Sequence, residues 1–356
     1  MSALLLYAAA LSACVADPPT RHPAADRDTG HDTGGDTGDD SGDDSGDDSG
    51  AIDPDAELWI VQIDIDSLAL GEAALVIGPD GRSLLIDVGN DSHAAAVEAA
   101  VDRYLGHAPD HVVLTHHHAD HIGAIDELSF VPQGSLYWRG DVDLVEDSNA
   151  AEVAEVQAVG WPEVRVGGWA SGPVEIDLGG GAVVRLLAVD GRSHDGQMCS
   201  VGDDENARSL LGTLSWGDFD YVFAGDLTGG GKDTPDCEAA YLGTELLPEA
   251  DLLHLGHHGI DSATSDAWLD RVFPAGTTRN ALVGANVAYG WAPDQAVIDR
   301  VVPHLGDGRL WVTRKGAFAG DDAKVVEAQG DVLVRVHGAA TYAIEGGESA
   351  TFAVVR

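Results

Sequence analysis

The feature that most constrains this chain is a run of metal-ligand side chains directly after a short apolar strand. Four potential ligands fall within six residues, at His116, His118, Asp120 and His121. The first two alternate on the strand exit and can face one metal ion, whereas the last two begin a helix and can reach a second ion. Imidazole and carboxylate ligands suit Zn, Mn or Fe and exclude an all-oxygen calcium site. The run therefore predicts a two-metal site at a strand-to-helix turn.

The rest of the chain supplies enough apolar residues to surround such a site. Hydrophobic residues make up 44% of the 356 positions, and strand-like runs alternate with helical ones after Pro54. The pattern predicts strands near 58–63, 73–77, 83–87 and 112–114, and later ones near 183–188, 209–214, 221–223, 251–255, 332–336, 341–344 and 351–355. It predicts helices near 92–105, 235–246 and 265–273. These alternating segments indicate one large α/β domain over residues 56–356.

The first residues have the character of an export signal. Residues 1–13 form a short apolar run that ends in small residues, which is typical of a signal peptide. The following Cys14 and its context resemble a bacterial lipoprotein cleavage box, which implies acylation of the Cys14 thiol and attachment to a membrane. Because Val15 rather than Asp follows, the resemblance implies an exported, outer-membrane-anchored lipoprotein. Plain secretion is the alternative.

Residues 14–55 predict a disordered acidic tether. Residues 1–55 contain thirteen aspartates against two arginines, and Asp-Thr-Gly and Asp-Asp-Ser-Gly repeats fill 26–50 without an apolar anchor. The repeats lack the acidic closing residue of an EF-hand loop, so a self-repelling linker is favoured over a calcium site. The sequence thus predicts an Asp/Gly/Ser/Thr-rich linker between the signal and the domain.

The overall charge disfavours nucleic acid as a partner. The formal net charge is −42, and the whole chain has only three lysines, Lys232, Lys315 and Lys324. A protein needs a basic surface to bind a polyanion tightly and without regard to its sequence. A small phosphoester or an envelope substrate is therefore favoured over a polynucleotide.

The His-X-His-X-Asp-His run resembles the signature of the metallo-β-lactamase superfamily, and three further segments extend the likeness. Leu85–Gly89 is similar to the first motif, Phe223–Leu227 to the bridging-aspartate motif, and Leu253–Gly259 to the last histidine motif. The resemblance implies an α/β fold of four layers, an αββα sandwich, with the site at one edge of two sheets. It also implies a metal-dependent hydrolase with two divalent ions, Zn or Mn, and a bridging hydroxide.

A finer likeness is to the metallo-β-lactamase domain of DNA-uptake competence proteins and related surface hydrolases. Asn206 and Ser209 match an Asn-X-X-Ser element, and Pro235–Glu238 matches a Pro-Asp-Val-Glu element. Residues 64–73 resemble an expanded form of that branch's Asp-Val-Gly-Gln-Gly-Asp-Ala motif. Tyr289–Pro293 stands where the branch has Tyr-Gly-His-Pro, and its histidine is missing here.

The resemblance assigns roles residue by residue. Catalysis falls to Asp120 and Asp226. The predicted metal ligands are His116, His118, Asp120, His121, Asp226 and His257. The predicted substrate-binding residues are Asn206, Ser209 and His258.

Several assignments stay open at this stage. Either His194 or Asn206 fills the position of a middle ligand. His257 is favoured as the late ligand, but the sequence does not decide between it and His258. His254 is more simply a packed strand histidine than a ligand. Cys199 and Cys237 either form a disulfide or remain two buried thiols. The sequence does not indicate an oligomeric state.

The favoured function is hydrolysis of phosphodiester-type substrates by a dinuclear metal site. Lactone or β-lactam hydrolysis is the second enzymatic reading. A catalytically silent surface protein that keeps the fold for binding is the alternative of a different class. No Gly-X-Ser-X-Gly element occurs, so a serine acyl-enzyme mechanism is disfavoured.

Overall fold

The two sheets of the fold are described by a computed structural model that covers residues 21–23, 52–65, 68–141, 147–169 and 172–355. Outside these residues lie the predicted signal peptide, Cys14 and most of the predicted linker. Asp66 and Ser67, in the 64–73 segment that resembles the branch motif, also lie outside them. In the described part, none of the helices combines the length and apolar character that crossing a membrane requires.

The first sheet has nine strands and is built from both ends of the chain. Its order is β18-β17-β16-β1-β2-β3-β4-β5-β6. Its strands are β1 (Glu57–Gln62), β2 (Ala74–Ile77), β3 (Ser83–Ile86), β4 (His111–Val113), β5 (Leu136–Trp138), β6 (Glu163–Arg165), β16 (Val332–His337), β17 (Thr341–Gly346) and β18 (Glu348–Ala353). Strands β3 to β6 run parallel, whereas β1 pairs antiparallel with both β2 and β16.

The second sheet comes from the middle of the chain and also mixes parallel and antiparallel pairs. Its order is β15-β14-β13-β12-β11-β10-β8-β7, with β9 paired to β8. Its strands are β7 (Val174–Asp177), β8 (Val183–Val189), β9 (Arg192–Ser193), β10 (Leu211–Trp216), β11 (Phe219–Phe223), β12 (Leu252–His254), β13 (Asn280–Val283), β14 (Leu310–Val312) and β15 (Val325–Glu327).

Six α-helices among the described residues cover the outer faces of the sheets. They are α1 (Ala94–Tyr104), α2 (Ala119–Ile122), α3 (Asp147–Ala158), α4 (Cys237–Tyr241), α5 (Asp266–Val272) and α6 (Gln295–Val301). One buried apolar cluster joins the first sheet to α1 and α3, a second joins the facing sheets, and a third joins the second sheet to α4, α5 and α6. This is the four-layer αββα sandwich that the sequence resemblance implied.

The helix predicted over 235–246 is shorter in the structure, where α4 spans Cys237–Tyr241. Its start is set by Asp236, whose side chain accepts a hydrogen bond from the backbone N–H of Ala239. The backbone of Leu246 has a φ of 66°, in the left-handed region, and Pro248 follows. Neither conformation continues a helix, so the apolar periodicity there overestimated its length.

Residues 21–23 fall within the predicted linker but contact the domain. The His22 side chain is buried, its backbone N–H donates to the carbonyl of Tyr104 at 2.8 Å, and its Nε2 lies 3.0 Å from the carbonyl oxygen of Glu57. Its ring packs edge-on against Trp59 at 4.9 Å. At this point the chain is attached to α1 and β1, which the acidic composition of 14–55 did not predict.

Candidate metal centre

Four strand ends meet at one edge of the sandwich, two from each sheet. Asp87 follows β3 and the 115–121 run follows β4, while Asp226 follows β11 and His257 and His258 follow β12. The backbone N–H of Leu210 donates to the carbonyl of Thr115 at 2.9 Å, which ties the two sheets together here. The two sheets therefore bring sequence segments more than a hundred residues apart into one site.

A first group of ligand atoms comprises His116, His118 and Asp226, all within 4.8 Å of one another. Nε2 of His116 lies 3.1 Å from Nδ1 of His118 and 3.7 Å from Oδ2 of Asp226. Thr115 lies behind this histidine, with its hydroxyl 3.1 Å from Nδ1 of His116. Because that hydroxyl donates its own proton to Asp87, it accepts from Nδ1 and leaves Nε2 unprotonated.

A second group comprises Glu72, His121, Asp226 and His258, again within 4.8 Å. Nε2 of His121 lies 3.3 Å from Nε2 of His258 and 3.3 Å from Oδ1 of Asp226. Nε2 of His258 is also 3.5 Å from Oδ2 of Asp120. Asp226 thus belongs to both groups, with its two oxygens facing different histidines.

Asp87 orients the second group from the first sheet. Its Oδ2 lies 2.8 Å from Nδ1 of His121, and its Oδ1 accepts the backbone N–H of Thr115 at 2.7 Å. The carboxylate therefore accepts a hydrogen bond from Nδ1–H of His121 and directs Nε2 toward Asp226. Metal-binding histidines are commonly held in this way by a carboxylate on their other ring nitrogen.

Glu72 holds His258 in the same manner from the opposite side. Its Oε2 lies 3.0 Å from Nδ1 of His258, and its Oε1 pairs with His254. Gly284 leaves room for this carboxylate, since a Cβ there would lie 2.6 Å from Oε1 of Glu72. Because Glu72 contacts the nitrogen that faces away from Asp226, we assign it the role of orienting His258.

The donor set fits divalent cations. Nδ1 of His121 donates to Asp87, and Nδ1 of His258 lies 3.1 Å from the carbonyl oxygen of Gly284 and 3.0 Å from Oε2 of Glu72, so the two Nε2 atoms face each other at 3.3 Å beside a carboxylate. Lone pairs so placed repel unless a proton or a metal cation lies between them. Imidazole nitrogens and carboxylate oxygens are the ligands that Zn and related ions prefer.

The electrostatics of the cluster agree with this fit. Burial raises the pKa of Asp226, but His121 and His258 outweigh it and hold the pKa well below the usual range. Burial lowers the pKa of His116 well below 6.5, so this imidazole is neutral. Burial also opposes protonation of His258, but Asp226 and Glu72 prevail and raise its pKa to about 10. A bound cation replaces that proton.

The structure distinguishes the two late histidines. The sequence favoured His257 as the ligand and His258 as a substrate contact, whereas the structure places His258, rather than His257, in the second group. Nε2 of His257 lies 3.6 Å from Oδ2 of Asp226 and 3.3 Å from the side-chain nitrogen of Asn206. The backbone φ of 54° at His258 turns its ring inward, and such a turn is invisible in the sequence motif.

The other two predicted substrate residues have different surroundings. Asn206 begins a short 3-10 helix (Asn206–Arg208) and lies beside His257 at the metal groups. Ser209 is buried, and its hydroxyl accepts the backbone N–H of Asp226 at 3.2 Å. Ser209 therefore positions the shared carboxylate from behind.

Tyr289 is a site residue to which sequence reasoning assigned no role. Its ring stacks on His258 with centroids 3.9 Å apart, and its hydroxyl donates to Oδ2 of Asp120 at 3.1 Å. The Tyr-Gly element of the branch motif was the available signal.

The remaining sequence candidates are not members of either ligand group. Nε2 of His194 contacts the carbonyl of Glu245 at 2.9 Å. His254 is buried against Glu72, as expected of a packed strand histidine. Cys199 and Cys237 form a disulfide, which resolves the alternative that the sequence left open.

A buried ion pair supports the ligand loop from beneath. Arg139 and Glu205 contact at 2.7 Å, and each side chain is only 1% exposed. Oε1 of Glu205 also accepts the backbone N–H of His117 at 2.9 Å. The pair thereby links the 116–118 segment to the residue that precedes Asn206.

Comparison with known proteins assigns the family. The sequence model of the metallo-beta-lactamase superfamily matches residues 69–276, more than half of the chain. The chain belongs to the metallo-beta-lactamase superfamily. Its clustered ligand side chains form a candidate site for divalent metal ions.

Similarity to individual members of the metallo-beta-lactamase superfamily is limited. A hydroxyacylglutathione hydrolase of Xanthomonas axonopodis pv. citri (strain 306) is 45% identical over 53 residues, which are 15% of this chain and 19% of that protein. The corresponding enzyme of Xylella fastidiosa (strain M12) is 42% identical over 53 residues, with the same coverage. The chain thus matches about a fifth of the length of these relatives.

Two solved structures are similar over a larger share of the chain, at lower sequence identity. The MIM-2 metallo-beta-lactamase is 22% identical, with coverage of 53% of this chain and 78% of that chain and a TM-score of 0.33. A metallo-beta-lactamase with a HARLDQ motif from Cronobacter sakazakii is 17% identical, with coverage of 57% and 75% and a TM-score of 0.34.

Proposed function

We propose that the chain is a dinuclear metal-dependent phosphodiesterase that acts on a small or envelope-derived phosphodiester. The observation that carries the proposal is the sharing of Asp226 by two groups of ligand atoms. Two divalent ions, when bound, supply a water of lowered pKa and a positive charge beside the substrate oxygens. Zn and Mn both suit these ligands.

Different residues of the site have different roles in this proposal. His116, His118 and Asp226 would hold one ion, and Asp120, His121, His258 and Asp226 would hold the other. Tyr289 donates to Asp120 and fixes its orientation. Asn206 lies beside His257, which is close to Asp226, and its side-chain N–H group is placed to donate a hydrogen bond to a developing oxyanion.

Glu72 supports the closer likeness to the competence-protein branch. The branch motif contains Gly-Asp-Ala, and Gly71-Glu72-Ala73 stands at its place. Glu72 contacts the second histidine of the His-His-Gly element. An acidic residue with a function at that position argues against a degraded motif, and so against the silent binding protein.

A second candidate is thioester hydrolysis, favoured by the partial match to hydroxyacylglutathione hydrolases. The same ions and oxyanion donors would serve an acyl carbonyl. The two candidates differ in the substrate that is turned over.

The test is hydrolysis of a chromogenic phosphodiester and of a hydroxyacylglutathione, in parallel, by the full chain loaded with Zn or Mn. Asp226→Ala and chelator should each abolish turnover, whereas Asp270→Ala, at an exposed position of α5, should retain it. Turnover of the thioester alone by the folded, metal-loaded protein would replace phosphodiester hydrolysis by the second candidate. Turnover of neither would leave lactone or β-lactam hydrolysis, or a binding role without catalysis.

We further propose export and lipid attachment at Cys14, with residues 14–55 as the tether and residues 56–356 as the hydrolase domain. Incorporation of a fatty-acid analogue into the native chain, and its loss in Cys14→Ser, would support the anchor. No incorporation beside a labelled control lipoprotein would indicate secretion instead.

A further inference from the structure

An exposed aromatic pair lies next to the metal centre. Trp291 is 65% exposed and Phe318 is 70% exposed, and their ring centroids are 5.5 Å apart with an interplanar angle of 31°. Large exposed apolar groups in contact with each other commonly mark a binding surface. We call these two side chains the aromatic pair.

The backbone holds the aromatic pair in place. The N–H of Phe318 donates to the carbonyl of Gly290 at 2.8 Å, and the N–H of Gly316 donates to the carbonyl of Ala292 at 2.9 Å. The 316–318 segment is thus fastened on both sides of Trp291. These two backbone hydrogen bonds hold the two rings close to each other.

The aromatic pair is continuous with the site. Tyr289 stacks on His258 and donates to Asp120, and Trp291 follows two residues later, within about 7 Å of chain. Further exposed apolar side chains join this edge, because the Asn286 side chain donates to the carbonyls of Ile65 and Ala69. They are Val287 at 43%, Leu68 at 89% and Leu70 at 43% exposed.

The cations beside the aromatic pair are engaged by carboxylates. Arg314 contacts Asp64 at 2.8 Å, and Lys315 contacts Asp321 at 2.9 Å. With a formal net charge of −42, this edge favours an uncharged, apolar group over a second anionic one.

We propose that the aromatic pair binds an aryl or alkyl group of the substrate, next to the phosphoryl group held at the metal centre. The inference rests on the proposed function, since it specifies which phosphodiesters that site prefers. Stacking and apolar burial on Trp291 and Phe318 would then add affinity in proportion to the size of the apolar group.

The test compares the affinity of phenylphosphonate with that of methylphosphonate for the Zn-loaded full chain, measured by calorimetry. Both probes carry the same phosphonate, so the ratio of their Kd values reports the apolar group alone. The native chain should bind phenylphosphonate at least about tenfold more tightly, since burial of each carbon is worth up to about fourfold. The ratio should approach one in Trp291→Ala/Phe318→Ala. It should persist in Val131→Ala, an exposed apolar residue outside this edge.

The outcomes separate this proposal from the proposed function. Turnover of phosphodiesters without any preference for phenylphosphonate overturns the aromatic pair as a substrate surface. A preference that depends on the pair, without turnover of any phosphodiester, keeps the surface and overturns the reaction. Pair-dependent binding to phosphatidylcholine vesicles or self-association, with equal phosphonate affinities, assigns the pair to a membrane or a second copy and overturns the proposal.

Discussion

The carboxylate of Glu72 lies 3.0 Å from Nδ1 of His258, on the side of the ring opposite the nitrogen that faces Asp226. Burial raises the pKa of Glu72, but the adjacent His254 and His258 outweigh it and lower the pKa to about 2. Glu72 is therefore anionic at every pH at which the site operates. Its charge makes Nε2 of His258 a stronger ligand.

Removal of this carboxylate should weaken metal binding. Glu72→Ala should lower Zn affinity about 10- to 100-fold, because His258 loses the partner that sets its tautomer and orientation. Glu72→Gln should lose less, since its side-chain oxygen still accepts the Nδ1 proton. Competition with a chromophoric chelator measures both. Glu175→Ala, at a side chain 56% exposed, is the matched control, and an unchanged affinity in Glu72→Ala would contradict the assigned role.

The Arg139–Glu205 pair should contribute strongly to stability only while it is intact. Arg139→Met leaves a buried, unpaired Glu205 carboxylate and should lower the free energy of unfolding by about 3–5 kcal/mol. Adding Glu205→Gln should restore part of that loss. Urea denaturation of the metal-free protein gives both values.

The matched control is a solvent-exposed pair of the same type. Arg165 and Asp141 contact at 2.6 Å with 47% and 39% of their side chains exposed. Arg165→Met should lower the free energy of unfolding far less than Arg139→Met does, because solvent screens the exposed pair. Equal losses in the two arginine variants would show that the burial of Arg139 has no energetic consequence.

The disulfide should stabilise the fold without entering the chemistry. Cys199 and Cys237 close a loop with a sequence separation of 38, for which chain entropy predicts about 4 kcal/mol. Cys199→Ser/Cys237→Ser should therefore unfold at lower urea concentration, while its Zn content at low temperature stays that of the native chain. Loss of Zn from the still-folded variant would mean that the disulfide shapes the metal centre.

Glu238 should make stability depend on pH. Burial raises its pKa to about 7, although the backbone N–H groups of Thr264 and Ser265 donate to its carboxylate. Between the ordinary value of 4.5 and about 7 the folded chain keeps a proton that the unfolded chain releases, so this group's contribution to stability falls as pH rises. Over this pH range, the contribution of Glu238 to the free energy of unfolding falls by about 1.4 kcal/mol for each pH unit.

The non-titrating Glu238→Gln variant isolates this group. The difference in unfolding free energy between variant and native chain should move in favour of the variant from pH 4.5 to 7 and be constant above that. Parallel curves over this range would show that Glu238 ionises normally.

The sequence predicted the placement of residues well where that placement is encoded in neighbouring residues. The 116–121 run, Asp226 and the Asp87 motif each lie at a strand end, and strand ends of a sandwich meet at one edge. The alternation of apolar segments likewise predicted the four layers. The ligand assignments themselves stay predictions until a metal is bound.

The sequence did not predict placements that depend on the path of the backbone. The choice between His257 and His258 depends on a turn with positive φ at both residues. Glu72 contacts His254 and His258, and these contacts depend on the fold rather than on the 64–73 motif in which the residue lies. His22 was hidden by the acidic residues around it, because composition averages over a segment and burial concerns one side chain.

Strand β1 pairs with β16 so that Glu57 lies opposite His337 in the first sheet. The centre of that sheet therefore cannot form until the last strands have left the ribosome. A chain translocated from its amino-terminal end would reach the export machinery before its core could close. For the exported chain that we propose, this order of strands would keep the nascent polypeptide unfolded during synthesis and delay folding to the far side of the membrane.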